Sequence, residues 1–135
     1  MKEQLKTILT NSKSYTLAVA AAMPADTYGF KPVDTVWNFG ELLNHIGYGI
    51  YWWEENYIRG IETDWNPPAS LTSKSKIATY LLDAFEMLEK TLAELSDRNE
   101  AIAGFHTTLD HITHHRGQAT TYLRCCGITP PEYIY

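Results

Sequence analysis

The sequence predicts an all-α protein, a four-helix bundle, and three observations carry that prediction. Apolar residues recur at three- and four-residue steps in four separate stretches. Pro, Gly and Asn punctuate the chain between those stretches, and strand-like alternation is nearly absent. The chain has 135 residues, 44% hydrophobic and 13% aromatic, which is the size of one globular domain with ample material for a core. Four amphipathic helices in so small a unit must bury their stripes against one another. Residues 1–135 therefore read as a single domain.

The first helix spans about Lys2 to Ala22, with Leu5, Ile8, Leu9, Tyr15, Val19 and Ala22 on its apolar stripe, and Pro24 stops it. A polar crossing from Pro24 to Val36 follows. The second helix runs from about Asn38 to Ile58. Leu42, His45, Gly49, Trp52 and Asn56 share one stripe, and Ile46, Ile50, Trp53 and Tyr57 lie beside it. Gly60 is its expected stop.

A loop from Glu62 to Leu71, centred on Asn66-Pro67-Pro68, leads to a third helix with its N-cap at Thr72 or Ser73. That helix carries Ile77, Leu81, Ala84, Phe85, Leu88, Leu92 and Leu95 in register. Ser96 to Gly104 reads as a connector. The fourth helix covers about Thr107 to Cys126, with Leu109, Ile112, Ala119, Tyr122 and Leu123 as its apolar set. Gly127 is its C′ residue, and Pro130-Pro131 prevent continuation. The connections after the first and second helices are long enough to cross the bundle.

Charge and composition exclude several function classes. Eleven Lys and Arg against sixteen Asp and Glu give a net charge of −5, with no basic face for a phosphate backbone. Nucleic acid and anionic membrane surfaces are not expected partners. The longest apolar run, Ala18 to Met23, is far short of the ~20 residues that span a bilayer, and no secretory pattern opens the chain. A cytoplasmic location is expected. Cys125 and Cys126 are adjacent and read as reduced thiols.

Five histidines carry the chemistry. His111 and His115 are four apart, so a helix stacks them on one face beside the apolar stripe, while His114 is turned about 100° away. His45 lies on the inward stripe of the second helix. Three imidazoles from two helices are the ligand number of a catalytic metal site, which keeps a position open for water or substrate. Histidines in structural hydrogen bonds, or in acid–base catalysis without a metal, fit the same spacing. HExxH, paired ExxH, P-loop and GxSxG motifs do not occur.

The run His111-Ile112-Thr113-His114-His115-Arg116-Gly117-Gln118, followed by Tyr122-Leu123-Arg124, Gly127 and Pro130-Pro131, closely resembles the DinB/YfiT-like superfamily. Trp37 through His45 looks like the segment bearing that family's first ligand. The resemblance implies a four-helix bundle, often homodimeric, that binds a divalent metal through His45, His111 and His115. Three imidazole ligands suit Zn or Ni foremost, with Mn or Fe as alternatives. The resemblance also implies a small-molecule substrate, since some relatives are transferases or isomerases that use low-molecular-weight thiols.

Neighbouring residues add expectations. Gln118, one turn from His115, is a candidate to bond a metal-bound water or the substrate. Glu41 and Asp110 are candidates to orient a ligand imidazole. Arg116 is expected to pair with a carboxylate such as Glu41 or Asp110, and Gly117 to mark a close helix crossing. Tyr48, Tyr51, Trp52, Trp53 and Tyr57 exceed what one core stripe needs, which points to a homodimer surface or a pocket wall. The expected function is a metal-dependent transferase or hydrolase acting on small electrophiles with a thiol. The alternative is a non-enzymatic, stress-associated dimer that binds a metal or small ligand. No general base is identified.

Overall fold

A computed structural model describes residues 1–96 and 98–134. Helix α1 covers Lys2–Ala22, α2 covers Phe39–Trp53, α3 covers Lys74–Glu94 and α4 covers Asn99–Cys125. No strand occurs among the described residues. The predicted ends of α1 and the Ser73 cap of α3 match, the Ser73 hydroxyl accepting from the Lys76 amide at 3.2 Å. Gly60 and Gly127 both adopt positive φ, 73° and 72°, as their stop positions require.

Two boundaries differ from expectation. The second helix leaves α-geometry after Trp53 and finishes in a π-helical turn, Glu54–Ile58. Buried Glu54 anchors that turn: it accepts from Thr91 Oγ1 at 2.7 Å and pairs with Arg59 Nε at 2.8 Å. The second difference is the connector expected from Ser96 to Gly104, most of which is helix. Gly104 is not a breaker. It lies against the backbone of Tyr57 and Ile58 in the π turn, where a Cβ would collide with the Tyr57 carbonyl. The glycine lets α4 run eight residues further back than its composition suggests.

Helix α1 packs on α3 and α4, and α2 packs on the same two. Lys74 Nζ donates to the Ala21 and Met23 carbonyls while Lys2 Nζ reaches Ala93, so α1 and α3 run antiparallel. Helices α2 and α3 run parallel, since Gly40 lies by Ile77 and Glu54 by Thr91. His45 meets His115 and Tyr57 meets Gly104, so α2 and α4 are antiparallel. The order is therefore up, down, down, up. The α1–α2 connection crosses the bundle, as expected. The α2–α3 connection instead joins neighbours, but must travel back along α2 to start a parallel helix.

That return path is fixed by α2 itself. Asn44 donates to the Leu71 carbonyl and accepts from its amide, both at 2.9 Å. Tyr48 OH accepts from Asn66 N at 2.9 Å, and Trp52 Nε1 donates to Asp64 O at 3.2 Å. Asn56 exchanges two bonds of 2.8 Å with Thr63. Residues 44, 48, 52 and 56 sit at four-residue steps, one helical stripe. A segment without regular structure is thus held down along its length. The core beneath comprises side chains of all four helices, with Phe39, Phe85 and Phe105 fully buried.

Candidate metal centre

Helix α2 starts with a reciprocal cap: Asn38 Oδ1 accepts from Glu41 N at 2.8 Å, and Asn38 N donates to Glu41 Oε2 at 2.9 Å. Glu41 is therefore a capping residue and touches no histidine through that bond. Two turns on, the His45 ring points toward α4. His111 and His115, one turn apart on α4, meet it from the other side. His45 Nε2 lies 3.0 Å from His111 Nε2 and 3.0 Å from His115 Nε2. One nitrogen from each ring falls within 4.8 Å of the other two, a grouping able to hold a metal ion.

The rings are held in three different ways. His115 Nδ1 lies 2.9 Å from Gln118 Oε1, and because that oxygen only accepts, the ring proton sits on Nδ1 and Nε2 keeps its lone pair. Gln118 thus acts on His115 itself. His111 has no such bond; its buried Nδ1 finds no partner among the described residues. Its ring is held by shape, with the Trp53 indole stacked at 4.2 Å and 17°. On α2, Gly49 leaves a notch that the His111 ring fills, and a Cβ there would run into it. His45 packs against Trp37 at 4.4 Å.

A model of the DinB superfamily matches residues 8–119. The chain belongs to the DinB superfamily. Its fold matches that of a DinB-like protein from Bacillus cereus ATCC 10987, known from a crystal structure. The two share 19% identity over 93% of this chain and 92% of the other, with a TM-score of 0.77. No curated protein matches the chain.

The electrostatics of this DinB-superfamily centre suit a cation. Burial pushes His45 down to about 4 and His111 to about 3, and the neighbouring His115 ring adds to both shifts. Burial lowers His115 as well, partly offset by Gln118. Near neutral pH the three rings are uncharged. His45 Nε2 stands 3.0 Å from the Nε2 atoms of both other rings, so that the two contacts can share a ring proton or, without it, turn their lone pairs toward one ion. The 3.0 Å spacing allows His45 and either partner to reach one ion at the ~2.0–2.1 Å of a zinc–imidazole bond.

Other candidates lie elsewhere. His114 and His106 are exposed, as is Asp110. Cys125 is exposed and Cys126 half-buried, both as free thiols. Arg116 does not pair with Glu41 or Asp110. It is buried between the rings of Tyr15 and Tyr133, 4.8 and 5.4 Å from their centroids, and donates to Ser12 Oγ at 3.4 Å. The α4 register turns it toward α1, opposite the histidines. Gly117 marks no crossing, since nothing approaches its Cβ position; the close approaches are at Gly49 and Gly104. Part of the aromatic surplus of α2 lies around the centre, while Tyr57 is half exposed and Tyr51 stacks on Tyr80. Trp52 and Trp53 pack on Trp65 of the returning loop, and Tyr48 meets it edge-on at 4.7 Å.

Proposed function

We propose that the chain is a metal-dependent enzyme, a transferase or hydrolase acting on a small electrophilic molecule with a thiol cosubstrate. In this reading His45, His111 and His115 are the protein ligands of a divalent ion, Zn or Ni foremost and Mn or Fe otherwise. The observation that carries it is the convergence of three neutral imidazoles beside an open, aromatic-walled cleft of about 500 Å³. A site with three protein ligands leaves room for an exchangeable one. A bound ion supplies Lewis acidity there, lowering the pKa of a coordinated water or thiol.

The chain's own residues would orient the ligands and shield them. Gln118 holds the His115 tautomer, Gly49 and Trp53 hold the His111 ring, and Trp37 packs on His45. A homodimer belongs to the same proposal, supported by the exposed Met1 and Ile8 that line a groove on α1 with His106. No described helix is long and apolar enough to cross a membrane.

Metal analysis of protein purified without a His tag tests the ligand assignment. His45→Ala, His111→Ala and His115→Ala should each abolish stoichiometric binding, whereas His114→Ala and His106→Ala should retain it. Equal metal content in all five overturns the assignment. Turnover of an electrophile with added thiols then tests the enzymatic part.

A further inference from the structure

The walls beside the histidines bear on what the centre accepts. Two clefts flank it, one of about 500 Å³ onto which His45 opens and one of about 520 Å³ onto which His115 opens, with Trp37 lining both. Among the described residues, the charged side chains on these walls are Glu41 in the first and Asp34 in the second. Neither cleft carries a Lys or Arg. A carboxylate or phosphate on a substrate is ordinarily met by such groups, which form paired, charge-assisted bonds. Here it would meet acidic walls instead.

The first cleft is also flat-sided and apolar. Trp37 and Trp65 are 46% and 41% exposed, although large aromatic rings are costly to leave in water. Their ring centres stand 4.4 and 5.5 Å from that of His45. Pro67 and Pro68 continue the wall. The wall is preformed, because Asn44, Tyr48 and Trp52 bond the loop that carries it. Rigid walls of this kind lower the ordering cost of binding. A cavity of roughly 150 Å³ is enough for benzene, so this cleft has room for fused rings and a head group.

We infer that the substrate of this centre carries a single metal-binding head and an uncharged, planar, apolar tail that lies against Trp37 and Trp65. The inference rests on the metal reading above for the head alone; the tail site belongs to the cleft. Polyanionic molecules are rejected by the same walls.

Hydroxamates provide the test, since one head can bear different tails. Benzohydroxamate, acetohydroxamate and 4-carboxybenzohydroxamate are titrated calorimetrically into metal-loaded protein. Indole, a ring without a head, is titrated into metal-loaded and metal-free protein by tryptophan fluorescence. Benzohydroxamate should bind at least tenfold more tightly than acetohydroxamate, and the added carboxylate should remove at least tenfold. Indole should bind saturably in both forms. Trp65→Ala should erase the preference for benzohydroxamate while keeping metal content and helical circular dichroism.

Equal affinity for the two uncharged probes, or tighter binding of the carboxylated one, overturns the inference. Protein that takes up no metal and no hydroxamate refutes the metal reading. The indole titration then decides the tail site alone: saturable binding lost in Trp65→Ala upholds it, and no binding overturns it.

Discussion

Replacing Gly49 by alanine probes the notch that positions His111. An alanine Cβ would stand 2.7 Å from His111 Nδ1 and 3.4 Å from Nε2, and closer still to Cε1. Relaxed contacts between such atoms lie near 3.5–4.0 Å, so the ring must shift by about 1 Å or α2 and α4 must part by as much. The ring cannot slip sideways freely, because Trp53 lies stacked on its face. Overpacking of this kind costs about 1–3 kcal/mol, against which alanine returns up to ~1 kcal/mol of helix propensity. The net loss of stability is about 0–2 kcal/mol. At about 3–5 °C per kcal/mol for a chain of this length, melting falls by up to roughly 10 °C.

Metal affinity should suffer more. The displacement moves one of three converging nitrogens, and disturbing even an outer partner of a ligand histidine costs roughly 10–100-fold. Calorimetric titration with Zn²⁺ or Ni²⁺ should show at least a hundredfold weakening, alongside thermal melts followed by circular dichroism. Gly117→Ala is the matched control: its Cβ position is open, so the chain should gain about 0.5–1 kcal/mol with unaltered metal binding. Wild-type affinity in Gly49→Ala would refute the argument that the notch positions the ring.

Three further outcomes are expected. Gln118→Ala removes the acceptor for His115 Nδ1, and metal affinity measured by competition with a chromophoric chelator should fall roughly 10–100-fold with little change in melting. In metal-free protein the histidine pKa values lie below their unfolded value near 6.5, so the folded state holds fewer protons. The stability this confers is present above about pH 6.5 and lost as pH falls toward 4, and scanning calorimetry across that range should show the decline, shallower in His111→Ala. Chelation should leave helical circular dichroism near its starting value and lower the melting temperature, because the core of buried side chains from all four helices holds the bundle without help from an ion.

The helices and the histidine triad were legible because both follow periodicity. Leu5, Leu9 and Val19 announce α1, Ile77 to Leu92 announce α3, and His111 and His115 declare a shared face by their spacing alone. What escaped depends on contacts between distant segments. Gly104 resembles a breaker until the π turn is seen pressing on it, whereas Gly117 resembles a crossing and has open space. Arg116 looked like half of an ion pair, and its partners proved to be aromatic rings from α1 and the C-terminal segment. Glu41 is different: Asn38-x-x-Glu41 is a capping box that could have been read from sequence. The stripe of Asn44, Tyr48, Trp52 and Asn56 was not legible, because Trp52 and Asn56 read as part of the inward face until the loop is seen bonding to them.

That stripe divides labour within the molecule. The histidines sit on helices whose positions are set by the core, while the wall opposite them is a loop pinned at Leu71, Asn66, Asp64 and Thr63. All four pins engage the loop through its main chain, which nearly any residue can supply. Residues 67–70 are therefore free to change identity without loosening the segment, whereas Trp65 is tied by ring contacts to Tyr48, Trp52 and Trp53. Substitutions in that stretch alone would reshape the cleft while keeping the same three-histidine scaffold underneath.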